Sequence, residues 1–144
     1  PLTLRYEATV RLSPAILRPA AVREVPVPAL PLEVRPNLLP SRYVESDRLA
    51  SFAHRTFGAL PPGHERVSAI RDWVHGHLDY VRGSSDAQTT AADTLLQRQG
   101  VCRDFAHLAI AFCRALGIPA RFVSAYAWQL DPSDFHAVME AWLE

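Results

Sequence analysis

Gly100-Val101-Cys102-Arg103-Asp104-Phe105-Ala106-His107-Leu108-Ala109-Ile110-Ala111-Phe112-Cys113-Arg114-Ala115-Leu116-Gly117-Ile118-Pro119 is the stretch on which the fold turns. From Cys102 to Leu116 it is apolar nearly all round, and a helix with so little polar face belongs in the middle of a domain. Gly117 supplies its C-terminal cap and Pro119 prevents it from continuing. Cys102 stands at its front, where the positive end of the helix dipole and free backbone N–H groups favour thiolate over thiol.

After this helix, Ala120 to Tyr126 reads as a strand, a loop runs through Asp131-Pro132-Ser133, and His136 to Leu143 reads as a second strand. In that second strand His136, Val138, Glu140 and Trp142 share one face, while Ala137, Met139, Ala141 and Leu143 share the other. Before the central helix, Ser46 is expected to cap a helix from Asp47 to Phe57, which Gly58 and Pro61-Pro62-Gly63 then break. A second helix is expected from His64 to Leu78, with Val67, Ile70, Val74 and Leu78 at helical spacing. Thr90 caps a short helix ending near Arg98, with Asp93 completing a box three residues on. Helices first, then antiparallel strands on a central helix, make the class α+β.

Eight of the twelve prolines lie within the first forty residues, which argues against helix there. Thr3 to Leu12 alternates as a strand. Residues 1–40 therefore read as an extended or β segment, the tail of a preceding β-rich region, and 41–144 as the core. The chain starts at Pro1 and stops at Glu144 inside a strand-like pattern, so it reads as a piece truncated at its C-terminus.

Length and composition set outer bounds. A chain of 144 residues with 49% hydrophobic and 21% charged residues suits one compact domain. Fifteen basic side chains balance fifteen acidic ones, so no broad positive field points to nucleic acid or an anionic membrane. No apolar run approaches the ~20 residues that cross a bilayer, and no signal peptide is visible. Cys102 and Cys113, on one helix, would stand roughly 16 Å apart, beyond the ~7 Å limit for a disulfide. Two free thiols fit a reducing, cytoplasmic compartment. That separation also rules them out as co-ligands of one metal. His75 and His77, two apart on a helix, point to different faces and read as surface or capping residues.

A cysteine nucleophile needs a thiolate near neutral pH, an imidazole within reach and a donor facing the developing oxyanion. Cys102 meets the first and third by position. His136 meets the second if its strand packs beside the front of the central helix. Cys113, deep in the apolar run, reads as structural. His107 reads as a buried hydrogen-bonding residue and Asp104 as bonded near the helix start or lining the cleft. Arg114 and Arg121 read as structural ion-pair partners. Trp73, Tyr80 and Trp142 read as core aromatics, and Tyr126 as a cleft-lining residue.

Thr90 to Trp142 resembles the core of the bacterial transglutaminase-like superfamily, a group with a papain-like catalytic core that includes candidate cysteine proteases. The resemblance rests on Gly100-Val101-Cys102-Arg103-Asp104-Phe105-Ala106, on Arg114-Ala115-Leu116-Gly117-Ile118-Pro119-Ala120-Arg121 and on Asp134-Phe135-His136-Ala137. It implies Cys102 as nucleophile and His136 as acid/base. The family's third member, an aspartate on the strand after the histidine strand, has no counterpart in these residues. Asp134 is the nearest substitute, and short strand spacing works against its bonding the imidazole of His136. Ser124 stands where relatives often have glycine, and Val138 where many have tryptophan. The implied activity is acyl transfer from a peptide or glutamine-type amide, with hydrolysis favoured over cross-linking because no calcium-binding acidic cluster is visible. No cofactor or metal is implied. The alternative is a non-catalytic peptide-binding or scaffolding domain that keeps the fold. An exposed strand edge also makes a homodimer an expected assembly.

Overall fold

The computed structural model describes residues 22–127, 129, 131 and 134–144, with residues 2, 3, 7, 9 and 11 singly. The strand expected from Thr3 to Leu12 lies, apart from isolated positions, outside the described residues. Helix α1 spans Ala50–Phe57 and α2 His64–His77. Strand β1 is Asp79–Tyr80, α3 is Ala91–Gln97, and β2 is Gln99–Gly100. Then come α4, Cys102–Ala115, and the strands β3, Ala120–Tyr126, and β4, Phe135–Ala141. The class is α+β.

Helix α4 is the axis of the molecule. Leu108, Ile110, Ala111, Phe112 and Cys113 are fully buried, as a surface that is apolar nearly all round requires. Helices α1 and α2 cover one side through aromatic rings: Phe52, Phe57 and Trp73 lie 5.4, 5.4 and 5.5 Å, centroid to centroid, from Phe112. Ile70 and Val74 of α2 join the same core. The β3–β4 hairpin covers another side, antiparallel, with Ala120 opposite Ala141 and Tyr126 opposite Phe135. On β4, Ala137, Met139 and Ala141 turn inward and Phe135, Val138 and Glu140 are exposed, the alternation of a half-buried strand.

Chain reversal after α4 directs this packing. Gly117 takes φ 79°, its N–H bonds to the Arg114 carbonyl, and the Ile118 N–H reaches back to the Cys113 carbonyl at 2.9 Å. Strand β3 then runs back along α4, so β4 begins near the end where Cys102 lies. Arg114 makes no ion pair among the described residues. Its guanidinium instead bonds the carbonyls of Ala120 and Leu39, at 2.9 and 2.6 Å. Arg121 does pair with a carboxylate, that of Glu140 opposite it.

Three local expectations are corrected. Ser46 caps no helix: residues 46–49 form turns and α1 starts at Ala50, with Leu49 at its N-cap position, while the Glu45 side chain reaches across to the Ala92 N–H at the start of α3. The proline-rich segment holds two short 3-10 turns, Val27–Ala29 and Arg35–Leu38, each with proline in its first turn. Strand β4 begins one residue early and ends before Trp142. The Thr90 cap and its Asp93 partner form as expected, each bonding the other's backbone N–H. The parallel two-residue pair β1–β2 has no counterpart in the sequence expectations.

Residues 22–24 stitch the front of the chain to the core. Glu24 accepts the Gly63 N–H and pairs with buried Arg66 at 2.8 Å. Arg23 and Glu144 exchange backbone hydrogen bonds of 2.6 and 2.9 Å. Gly63 is at φ 111°, and a Cβ there would lie 2.6 Å from the Val22 carbonyl oxygen, so only glycine permits this approach. No helix among the described residues is long and apolar enough to cross a membrane. Truncating Phe112 to alanine leaves three aromatic rings facing a void and should cost about 3–5 kcal/mol, read as a lowered urea midpoint with unchanged m-value.

Candidate active site

Cys102 is the first residue of α4 and is half-buried. The helix start is built around Asp104, whose carboxylate accepts the Val101 N–H at 2.8 Å. Asp104 is only 1% exposed. It fills the space left by Gly100, where a Cβ would lie 2.7 Å from the Asp104 Cβ. Arg103 donates from Nε and Nη2 to the same carboxylate, at 3.2 and 3.1 Å, and from Nη2 to the Ser85 hydroxyl and the Asp86 carbonyl. The first intrahelical bonds run from the Asp104 and Phe105 N–H groups to the Val101 carbonyl. The N–H groups of Cys102 and Arg103 therefore find no acceptor among the described residues, as the first turn of a helix dictates.

Beside Cys102 opens a cavity of about 620 Å³. Its floor is the Cys102, Phe105, Ala106 and Ala109 face of α4, a run at helical spacing. One wall comes from α2 and β1, with Arg71, Val74, His75, Asp79 and Tyr80, and the opposite wall is His136 to Met139 of β4. The structure thus brings Cys102 and His136 to one cavity, with no hydrogen bond between them among the described residues. Catalytic hydrogen bonds in unliganded sites often tighten only with substrate in place. Asp79 is the single carboxylate side chain on the lining.

A family model for the transglutaminase-like superfamily matches residues 50–144. The chain belongs to this superfamily. Among transglutaminase-like structures, it is similar to a candidate cysteine protease from Cytophaga hutchinsonii, with 49% identity and a TM-score of 0.81 over 84% of this chain and 42% of that one. It is also similar to the periplasmic domain of TgpA from Pseudomonas aeruginosa, solved bound to ethylmercury: 25% identity, TM-score 0.61, 79% of this chain and 46% of that one. An uncharacterised protein of Mycobacterium leprae is 38% identical over 90 residues, 62% of this chain and 32% of that protein. One from Mycobacterium tuberculosis is 36% identical over 81 residues, 56% of this chain and 26% of that protein. The chain thus spans less than half the length of each of these relatives.

Within this transglutaminase-like core, three expected placements are corrected. Asp134 does not orient His136: its carboxylate accepts the Phe135 N–H at 2.7 Å and lies outside the cavity. Asp104 does not line the cleft, being turned inward beneath Gly100. Tyr126 does not line it either; it packs against Phe135 on the hairpin surface, and both rings are mostly exposed. Tyr80, read as core, is 56% exposed and rests at the cavity wall near Phe105. Arg71 and His75 reach the cavity from α2 and Asp79 from β1, and no motif signals them.

The remaining titratable groups are structural. Burial, and secondarily Glu24, push the Cys113 thiol up to about 12. His107 stacks nearly parallel to Tyr43 at 5.5 Å and packs against Phe122 at 5.2 Å, and its Nδ1 has no hydrogen-bond partner among the described residues. It packs as a ring rather than as a hydrogen-bonding residue. Burial, then the Arg103 charge, hold its pKa below the usual histidine value. The Asp86 carboxyl is lowered, first by the Gln88 N–H and then by the Thr89 hydroxyl.

Two outcomes follow from this geometry. Gly100→Ala forces Asp104 and the front of α4 apart and should cost about 1–3 kcal/mol, together with a loss of Cys102 reactivity measured by alkylation. A histidine held neutral in the folded state lets the unfolded chain bind the extra proton first. Stability is therefore whole above about pH 6.5 and declines as pH falls through the depressed folded value. His107→Phe should flatten that decline in melts recorded between pH 7 and pH 5.

Proposed function

We propose that this transglutaminase-like domain is a thiol-dependent amide hydrolase acting on peptide or glutamine-type amides, with Cys102 as nucleophile and His136 as acid/base. The observation that carries this reading is the shared cavity, with Cys102 at the start of α4 on its floor and His136 at the start of β4 on its wall. The candidate protease from Cytophaga hutchinsonii adds support.

In the proposed cycle, His136 takes the thiol proton as the Cys102 sulfur attacks the amide carbonyl. The carbonyl oxygen becomes an oxyanion facing the unpartnered N–H of Cys102, a donor already aimed at no cost in reorganisation. His136 returns the proton to the departing nitrogen, releasing ammonia or an amine and leaving a thioester. Water, deprotonated by the same imidazole, then attacks the thioester, and the thiolate leaves with the acid product. Phe105, Ala106 and Ala109 make the floor beside the sulfur apolar.

Cys102→Ala should abolish release of amine from a fluorogenic peptide amide, and His136→Ala should lower kcat/KM by about a thousand-fold or more. Iodoacetamide at pH 7 should label Cys102 while Cys113, fully buried and held as a thiol, stays unmodified until the protein unfolds. Slow labelling at Cys102, no faster than a free cysteine, with no amide turnover, would instead support a peptide-binding domain.

A further inference from the structure

The start of α4 contains a conflict of charge. Asp104 is indispensable to the local backbone, since it accepts the Val101 N–H and fills the space above Gly100. Yet it places a buried negative charge two residues from the sulfur that is to become an anion. A carboxylate so close opposes the helix-terminal field that favours a thiolate. Arg103 lies between the two residues in sequence and clamps Asp104 through two nitrogens.

We propose that Arg103 is a positioning residue for the reaction: its guanidinium offsets the Asp104 charge, so that α4 keeps its carboxylate anchor without losing the positive field at Cys102. The inference rests on the nucleophile assigned under Proposed function and deepens it. The same guanidinium is fixed from its far side by the Asp86 carbonyl at 2.6 Å and by the Ser85 hydroxyl at 3.3 Å. That loop is itself tied down, since Asp86 accepts the Gln88 and Thr89 N–H groups. Tyr43 and Arg42 bond the loop at Ala87 and Gln88. Arg103 is therefore held with its charge against Asp104 by contacts on both sides of its guanidinium.

The other ionisable side chains facing this end of α4 are Arg71 and His75 of α2, Asp79 and Tyr80 of β1, His136 of β4, Asp86 of the loop, and His107 one turn further along α4. None of them bonds the Asp104 carboxylate among the described residues, so Arg103 alone neutralises it directly.

A charge cycle tests this. The rate of Cys102 alkylation by iodoacetamide is followed from pH 5 to pH 9 in the wild type, Arg103→Gln, Arg103→Lys, Asp104→Asn and the double variant Arg103→Gln/Asp104→Asn. The alkylation midpoint should move up in Arg103→Gln, with the rate at pH 6.5 falling about five-fold, as expected for one uncompensated charge at this range. It should move down in Asp104→Asn, whose amide oxygen still accepts the Val101 N–H, and return to within about two-fold of wild type in the double variant. Arg103→Lys keeps the charge without the fork and should stay near wild type. Purely structural damage would lower reactivity in every variant and worst in the double, which overturns the proposal. An Arg103→Gln midpoint equal to wild type, or an Arg103→Lys midpoint equal to that of Arg103→Gln, also overturns it. Should Asp104→Asn fail to fold, judged by its thermal melt, the Arg103→Gln and Arg103→Lys comparison decides alone. A wild-type Cys102 no more reactive than a free cysteine would sink the nucleophile assignment itself. A reactive wild type with an indifferent Arg103→Gln sinks only the role of Arg103.

Discussion

A helix that is apolar nearly all round must be enclosed, and the enclosure of α4 organises much of the fold. Phe112 draws Phe52, Phe57 and Trp73 inward, which sets α1 and α2 against one flank. The turn at Gly117 sends β3 back along another flank. Because the middle of the helix is buried on all sides, open space remains at its front end, where the first backbone N–H groups are free. The cavity occupies that space.

That front end joins two demands usually met by different parts of a protein. A helix start needs an acceptor for its first N–H groups, and an acidic side chain three residues in is a good one. A nucleophilic thiol at the same place needs the opposite sign of charge. If Cys102 is the nucleophile proposed above, Cys102-Arg103-Asp104 would meet both demands within three consecutive residues, and Gly100 provides the clearance for the Asp104 side chain.

Much of this architecture was legible in the sequence. The extents of α2, α3, α4 and β3 follow from apolar spacing, from Thr90 and from Gly117, all of which act locally. The inward and outward faces of β4 follow from strict alternation. What escaped depends on contacts made only after folding. Residues 46–49 form turns ahead of α1, next to a Glu45 side chain that bonds the start of a helix more than forty residues away, a contact no local signal gives. Strands of two residues, β1 and β2, carry no period at all, which hid Asp79, while Arg71 and His75 lie on the legible helix α2 but line the cavity only through how that helix packs. Asp134, Asp104 and Tyr126 were placed by nearness in sequence, yet each points elsewhere for a local reason: a bond to the next N–H, a niche under a glycine, and a neighbouring ring.

Residues 22–24 lie outside both walls of the cavity yet hold each of them. The Val22 carbonyl and the Glu24 carboxylate fasten the front of α2, while Arg23 is laced to Glu144, just past the end of β4. These three residues thus join the start of one wall's helix to the chain just past the other wall's strand, through contacts that involve no residue of the cavity lining.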